Sequence, residues 1–475
     1  MTDGHADFFY SFTFDDISQL DRDVSTALAN IREWRNSFIR INRIPLDVLS
    51  LIPTHLHPQT MDRFSASHVC RHWRRTFLQH AALWSHLFLP KGEVYARTLL
   101  ERARGSPLDI ITNRGAPVGT AILLSPHTRQ IRSLNFAHNY WADIRWFSEV
   151  NSGPLPLLRT LEINVVDDLL SASQPDPLTP PSLPLFRNAV NLEQFVFCLQ
   201  RSSSLNHFVF PNLTTLELLT TPIWYGFQAS DLLGFLEASP MLQTVHMNII
   251  AEILLDGVAP GAIVLPNVQT FSLFMDDGEP AYELVTHISC PSANHTSLTH
   301  EKKIDDIFTS QDIRDAFPTA ASWDAIVRQY TTSPVEAISL EIKTSHDPLI
   351  SCTLTFRSSD ETIIKLGLEV SRDIGDRDEF HISFEEMVRG AFSEALKAVQ
   401  DYPLLHDTKH LHVLHGIPLS YSDEMINAAA IVEVANSWHG LGRPFERVTV
   451  SAVNLELPAR MAEMLEPWVG VVDYS

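Results

Sequence analysis

The sequence predicts an α/β protein in which a helical N-terminal region precedes an irregular α/β solenoid. Three patterns lead to this prediction: a heptad repeat of apolar residues at 17–41, three short amphipathic segments within 42–89, and a recurring apolar-x-x-apolar-x-apolar pattern after residue 90. The first two patterns have helical periodicity, whereas the third alternates like a strand with one buried face. We therefore divide the chain into 1–41, 42–89 and 90–475.

Composition limits the classes of function. The chain has 475 residues, enough for two or three domains or one long repeat array, and a formal net charge of −22 from 57 acidic and 35 basic residues. Such an acidic balance argues against nucleic acid or an anionic membrane as a partner. No basic-then-apolar leader and no run of about 18 apolar residues occurs, so we predict no membrane span. The four cysteines are scattered without paired spacing, which predicts reduced thiols in a cytoplasmic or nuclear protein.

The first predicted element is a helix with a heptad seam. Its apolar residues alternate at spacings of three and four, at Ile17, Leu20, Val24, Ala27, Ile31, Trp34, Phe38 and Ile41. Asp15 and Asp16 stand at its N-terminal end, where the helix dipole favours anions. Such a seam covers either another part of the same chain or a second copy in a homodimer, and both interpretations are open from the sequence.

The segment 42–89 contains three short amphipathic stretches. Pro45 stands at the start of the first, where its missing N–H costs nothing. One face of this first stretch carries Leu46, Leu49 and Ile52, and the stripe of the third stretch carries Val69, Cys70, Trp73 and Phe77. Three such helices are too small to bury much apolar surface by themselves. Their apolar side chains must therefore cover the rest of the chain or a partner.

These residues carry a resemblance to a known family. The quoted elements are Ile44-Pro45-Leu46, Leu56-His57-Pro58, Val69-Cys70-Arg71-His72-Trp73-Arg74 and Leu83-Trp84. Together they resemble the F-box, a helical module that binds the Skp-type adaptor of cullin–RING ubiquitin ligases. The resemblance implies an adaptor-binding set of Ile44, Pro45, Leu46, Leu49, Ile52, Leu56, Val69, Cys70 and Trp73. Pro53 departs from the family pattern and is expected to end the first helix early, because proline removes a helical hydrogen bond.

The pattern after residue 90 occurs eight times. The copies begin at Ile131, Leu158, Leu192, Leu213, Leu242, Val268, Val335 and Phe445, and the first six follow at intervals of 27, 34, 21, 29 and 26 residues. Pro-Asn-Leu and Pro-Asn-Val triplets precede several copies and mark turns. The spacing resembles leucine-rich repeats. The asparagine of that family, expected three residues after the last apolar position, is absent from the copies at Leu158, Leu213 and Leu242, where Val166, Thr221 and Ile250 stand instead.

Two inserts are predicted within this repeat region. The first is near 171–184, which holds five prolines, and the second is near 275–312, in which no repeat unit is recognised. Proline-rich stretches favour exposed loops, and inserts in repeat arrays usually lie on one face.

The sequence indicates no catalytic chemistry. Neither a Gly-x-x-x-x-Gly-Lys-Ser/Thr phosphate loop nor a Gly-x-Ser-x-Gly elbow occurs. The densest histidine group is His410, His412 and His415, and a metal site there would need further ligands in a fixed geometry. We predict no enzyme activity, no cofactor and no metal site.

The F-box resemblance implies a function as the substrate-receptor subunit of an SCF-type ligase. The F-box would bind the adaptor, the adaptor a cullin, and the repeat domain a client protein. Together with His-Ile-Ser-Cys-Pro at 287–291, the pattern resembles the large F-box families of mushroom-forming fungi. The alternative is an adaptor-binding scaffold protein that acts outside ubiquitination, and co-purification of a cullin discriminates the two.

Overall fold

The computed structural model describes most of the N-terminal half of the chain and selected elements of the C-terminal half. The described residues are 13–52, 62–113, 118–139, 141–165, 189–199, 205, 208–220, 227–249, 253–254, 263–275, 284–304, 335–344, 349–358, 363–372, 409–415, 431–432, 435–436, 439–440, 445–452, 465, 467 and 469–474. They divide into two compact units, Met1–Leu134 (unit 1) and Asn135–Ser475 (unit 2). None of the described helices is long and apolar enough to cross a membrane.

Unit 1 is mainly helical. Its elements are α1 (Phe14–Ser37), α2 (Leu46–Leu49), α3 (Asp62–Ser67), α4 (Arg71–Gln79), β1 (His86–Phe88), α5 (Glu93–Ala103), β2 (Leu108–Asn113), α6 (Val118–Leu124) and the first part of β3 (Ile131–Asn139). Thr13 caps α1 with a capping box, because its hydroxyl accepts a hydrogen bond from the Asp16 N–H while the Asp16 carboxylate accepts one from the Thr13 N–H. The predicted N-terminal helix is therefore present.

The core of unit 1 is built around Trp84. This indole is fully buried and donates a hydrogen bond of 2.8 Å from Nε1 to the Phe77 carbonyl oxygen. The ring of Phe64 on α3 contacts it edge-on at 5.5 Å, and the Arg102 guanidinium on α5 lies 4.7 Å from its centre. Trp84 thus joins the short helices before it to α5, which follows it.

The strands of unit 1 share one charged cluster. Asp109 on β2 accepts hydrogen bonds from both Nε and Nη2 of Arg132, at 3.0 and 2.6 Å, and lies 2.9 Å from Nε2 of His86 on β1. Burial raises the pKa of the Asp109 carboxyl, but the hydrogen bonds and charges of His86 and Arg132 outweigh it, so that the pKa is lowered. The cluster stabilises the pairing of these strands.

Unit 2 is mainly a sheet. Its elements are α7 (Trp141–Val150), β4 (Thr160–Val165), β5 (Gln194–Leu199), β6 (Thr215–Thr220), β7 (Phe227–Gln228), α8 (Ala229–Glu237), β8 (Thr244–Ile249), β9 (Ile253–Leu254), β10 (Ile263–Val264), β11 (Thr270–Met275), β12 (Ile288–Ser289), β13 (His295–Ile304), β14 (Val335–Thr344), β15 (Leu349–Ser358), β16 (Ile363–Arg372), β17 (His410–His415), β18 (Arg447–Ala452) and β19 (Val471–Tyr474).

The strands of unit 2 pair mostly in parallel. Their order is β4-β5-β6-β8-β11-β13-β16-β15-β14-β17-β18-β19, and only the β16-β15 and β15-β14 pairs are antiparallel. On β4, β5 and β6 the residues of the predicted pattern are buried, as in Leu161 and Ile163, and alternate with less buried ones. The α/β class, with an N-terminal helix followed by parallel strands, is confirmed. The solenoid interpretation stays a prediction.

The same turn precedes six consecutive parallel strands. In each, a backbone N–H bonds the carbonyl three residues earlier: Leu158 to Leu155, Leu192 to Ala189, Leu213 to Phe210, Leu242 to Ser239, Val268 to Leu265, and Ala293 to Cys290. Both ends of every one of these turns are buried. The sixth turn leads into β13, which pairs in register with β11.

The segment 275–312 differs from the expected insert in its described part. The structure places β12 and β13 inside it, and Thr296 and Leu298 of β13 are buried where the other strands bury two large apolar residues. This copy does not match a pattern of large apolar residues, because Ala293 and Thr296 occupy two of its three positions. The other predicted insert, 171–184, lies outside the described residues.

Candidate adaptor-binding and client-binding surfaces

The first candidate surface surrounds α2. Pro45 is the N-cap of this helix, and its carbonyl oxygen accepts a 2.8 Å hydrogen bond from the Leu49 N–H. The helix ends at Leu49, and Pro53 lies outside the described residues. Because α2 has a single turn, the residues around it project in several directions, and most of the apolar ones are exposed. The exposed apolar residues here are Pro45, Leu46, Val48 and Leu51, with Ile44 and Ile52 half-buried.

Two predicted adaptor-binding residues face the interior. Leu49 is 0 % exposed and Trp73 is 7 % exposed, and the Trp73 ring stacks on Phe77 at 5.5 Å. Helices α2 and α4 contact each other, so these two buried side chains support the surface from within.

Two further predicted residues, Val69 and Cys70, lie at the N-terminal end of α4. Cys70 is the extended N-cap of α4, so Val69 and Cys70 precede the helix and do not continue its stripe. Val69 is exposed, and the half-buried Cys70 thiol donates a 3.7 Å hydrogen bond to Asn42 Oδ1. This contact brings Val69 and Cys70 beside the chain that enters α2. Leu56, the last member of the predicted set, lies outside the described residues.

We call the exposed residues Pro45, Leu46, Val48, Leu51 and Val69 the apolar face. Two of them, Val48 and Leu51, were not in the predicted set. They were not predicted, because the predicted face carried only Leu46, Leu49 and Ile52 and the sequence did not indicate which side of this short helix is covered.

The second candidate surface is one face of the sheet in unit 2. The strand register places Glu162, Val196, Glu217, His246, Ser272 and Ser297 in one row across β4, β5, β6, β8, β11 and β13. We call this set the central row. His246 is exposed and the others are half-buried, whereas the residues that flank them along each strand are buried. The row therefore lies on the open face of the sheet.

The central row carries two carboxylates. Burial raises the pKa of the Glu162 carboxyl, and the charge of Glu217 raises it further, against the hydrogen bond that Glu162 accepts from Asn135 Nδ2. A positively charged group placed between these carboxylates would offset both effects. The row is thus suited to contact basic side chains.

The thiols and histidines show no reactive arrangement in the described part of the chain. Burial raises the pKa of the Cys290 thiol to about 12 and raises that of Cys198, so both are poor nucleophiles. No group of three or more His, Cys, Asp or Glu side chains among the described residues is placed to hold a metal ion. His410, His412 and His415 all lie on β17.

Comparison with known proteins identifies the class of the N-terminal module. Residues 41–90 match the family model described as F-box-like. The chain therefore contains an F-box-like domain, which confirms the resemblance predicted from residues 42–89. Such domains are typically non-catalytic and bind Skp-type adaptors, which suggests an adaptor-binding role in SCF-type ligases. No curated protein matches the chain.

Proposed function

We propose that this chain is the substrate-receptor subunit of an SCF-type cullin–RING ubiquitin ligase. It would bind a Skp-type adaptor through residues 41–90, and through it a cullin, and hold a client protein with the domain that follows. The observation that carries the proposal is the F-box-like match over the residues that expose the apolar face. Such a ligase works in the cytosol or nucleus, and we expect the chain there.

The proposed mechanism is catalysis by proximity. A receptor raises the effective concentration of the client near the ubiquitin-conjugating enzyme, and it needs no reactive group of its own.

The apolar face supports adaptor binding through its chemistry. Leu46 and Leu51 are 57 % and 58 % exposed, although apolar residues of this size usually gain from burial. Exposed apolar residues concentrated in one short segment, as at 45–51, are typical of protein–protein interfaces. Leu49 and Trp73 would fix the geometry of this face from below.

The test is adaptor capture by full-length protein carrying Leu46→Asp and Leu51→Asp. A charge at the centre of an apolar interface costs at least about 2 kcal/mol, so the dissociation constant for a purified Skp-type adaptor should rise roughly thirty-fold or more. Titration calorimetry measures it. Val94→Asp is the matched control, because Val94 on α5 is 82 % exposed and follows the matched residues. The control should bind normally.

Affinity purification from the chain's own cells separates the two functions. Adaptor together with a cullin supports the receptor, and adaptor without a cullin favours a scaffold outside ubiquitination. Unchanged capture by a folded Leu46→Asp/Leu51→Asp variant contradicts the proposed adaptor face.

The client would occupy the open face of the sheet, across the central row. Its two carboxylates favour a client segment with basic side chains. In the same purification, Glu162→Gln with Glu217→Gln should lose clients and keep the adaptor. Glu237→Gln, an exposed glutamate on α8, is the control.

A further inference from the structure

The apolar side of helix α1 faces away from the rest of unit 1. None of its 24 residues is buried. The seam residues Ile17, Leu20, Val24, Ile31 and Trp34, with Phe38 and Ile41 just beyond the helix, are 47–67 % exposed.

The polar side of α1 is the side that meets the rest of unit 1. Its half-buried residues are Ser18, Ala29, Glu33 and Asn36, which lie at heptad positions b, f, c and f. Glu33 forms an ion pair of 3.3 Å with Arg71 of α4. A helix that only stabilised its own unit would bury positions a and d instead. The seam is therefore left for another molecule.

The charge distribution along α1 indicates what that molecule is. Four aspartates, Asp15, Asp16, Asp21 and Asp23, stand in its first ten residues. Arginines dominate its other end and the residues just after it, at Arg32, Arg35, Arg40 and Arg43. A second copy of α1 running in the opposite direction sets the acidic end of each helix against the basic end of the other, and it also opposes the helix dipoles.

A parallel pairing of two copies lacks this complementarity. With a at Ile17 and d at Leu20, Asp16 occupies a g position and Asp21 the following e position. Two parallel helices in register place g of one beside this e of the other, so carboxylates would face each other on both sides of the seam.

Side-chain size favours the same orientation. An antiparallel register sets Ile17 opposite Trp34, Leu20 opposite Ile31, and Val24 opposite Ala27, so that each layer pairs residues from different positions. A parallel register would stack two tryptophans in one layer and two alanines in another, which overpacks the first and underpacks the second.

We propose that α1 is a dimerisation helix, whose seam is covered by α1 of a second copy of this chain in an antiparallel coiled coil. The proposal is independent of the adaptor and the client. Twenty-four residues span about 36 Å, which is short for a coiled coil in isolation. The dimer is therefore expected to dissociate on dilution.

The first test is the molar mass of the full-length protein in solution, by analytical ultracentrifugation. The wild-type chain should have twice the 53.5 kDa of one chain. Val24→Glu with Ile31→Glu should halve the mass, because it buries charges in the seam. Ser25→Glu with Thr26→Glu adds the same charge outside the seam and should remain dimeric.

Three results would overturn the proposal. They are a monomeric wild-type chain, a seam variant that remains dimeric, and a seam variant whose unit 1 no longer folds by circular dichroism. The last would mean that the seam is covered within the single chain. A monomeric chain whose seam variant loses the Skp-type adaptor would assign the seam to the adaptor.

The second test decides the orientation. Leu20→Cys and Ile31→Cys are prepared as separate full-length proteins and oxidised alone and as an equimolar mixture. Antiparallel pairing gives a disulfide-linked dimer only in the mixture, above the background of the wild-type chain with its own four cysteines. Cross-linking of each variant alone would show parallel pairing and refute the proposed arrangement.

Discussion

Trp73 and Trp84 are both buried in unit 1, yet their indole nitrogens are placed differently. Trp84 Nε1 donates to the Phe77 carbonyl at 2.8 Å, whereas no acceptor lies within reach of Trp73 Nε1 among the described residues. We predict that Trp84→Phe destabilises unit 1 by about 1–2 kcal/mol more than Trp73→Phe, because it also removes a hydrogen bond and the contact with Arg102. Amide hydrogen exchange of α4 and α5 in the full-length variants measures the difference. Equal losses of protection would mean that the indole N–H of Trp84 contributes nothing.

The same residues show how far single positions could be predicted from the sequence. The F-box pattern identified the right segment, but it could not separate supporting from exposed residues, since Leu49 and Trp73 are buried while Leu46 and Val69 are exposed. A helix of four residues has no second turn from which a buried side could be recognised. The adaptor-binding set as a whole stays a prediction.

At the scale of elements, asparagine side chains link successive strands of unit 2. Nδ2 of Asn191 donates to the Pro156 carbonyl at 2.7 Å, and Nδ2 of Asn267 donates to the Pro240 carbonyl at 3.0 Å. Asn212 makes the corresponding bond to Val190 at 2.5 Å. The leucine-rich-repeat asparagine does not stand at the expected positions after β4, β6 and β8, and these asparagines lie in the turns before the strands.

Met241 interrupts this series. It occupies the position of Asn212 and Asn267 in the turn before β8, and it is exposed. Met241→Asn should add a bond to the Pro211 carbonyl and stabilise unit 2 by roughly 0.5–1 kcal/mol, while Asn267→Met should destabilise it by a similar amount. Thermal unfolding of full-length variants, followed on the unit 2 transition, provides the measurement. A melting temperature lowered by Met241→Asn would contradict the assignment of these turns as equivalent.

Individual strands were predicted well where their signal in the sequence is local. The strands at 160–165, 194–199, 215–220, 244–249 and 270–275 follow from alternation in the sequence. The antiparallel pairing of β15 with both β14 and β16 did not, because alternation reports a buried face but not the partner strand.

At the scale of the whole molecule, the F-box-like match and unit 1 end at different residues. The match ends at residue 90, one residue beyond the predicted segment 42–89, whereas unit 1 extends to Leu134. The reason lies in residues beyond the match: Arg102 covers Trp84, Tyr95 contacts Phe64 at 6.0 Å, and β2 pairs with β1. Motif spacing could not reveal this, because these contacts come from a segment outside the motif. The three-part division of the chain stays a proposal.

This difference predicts the behaviour of two fragments. Residues 1–139, which keep all of β3, should unfold cooperatively, whereas residues 1–90 should not, because they lose α5 and β2 and uncover Trp84. Both fragments contain the same three tryptophans, Trp34, Trp73 and Trp84, so their fluorescence can be compared directly. The shorter fragment should emit at longer wavelength and show no sharp thermal transition. A matching spectrum and transition in residues 1–90 would show that the F-box-like segment holds its own core, and that α5 is dispensable for it.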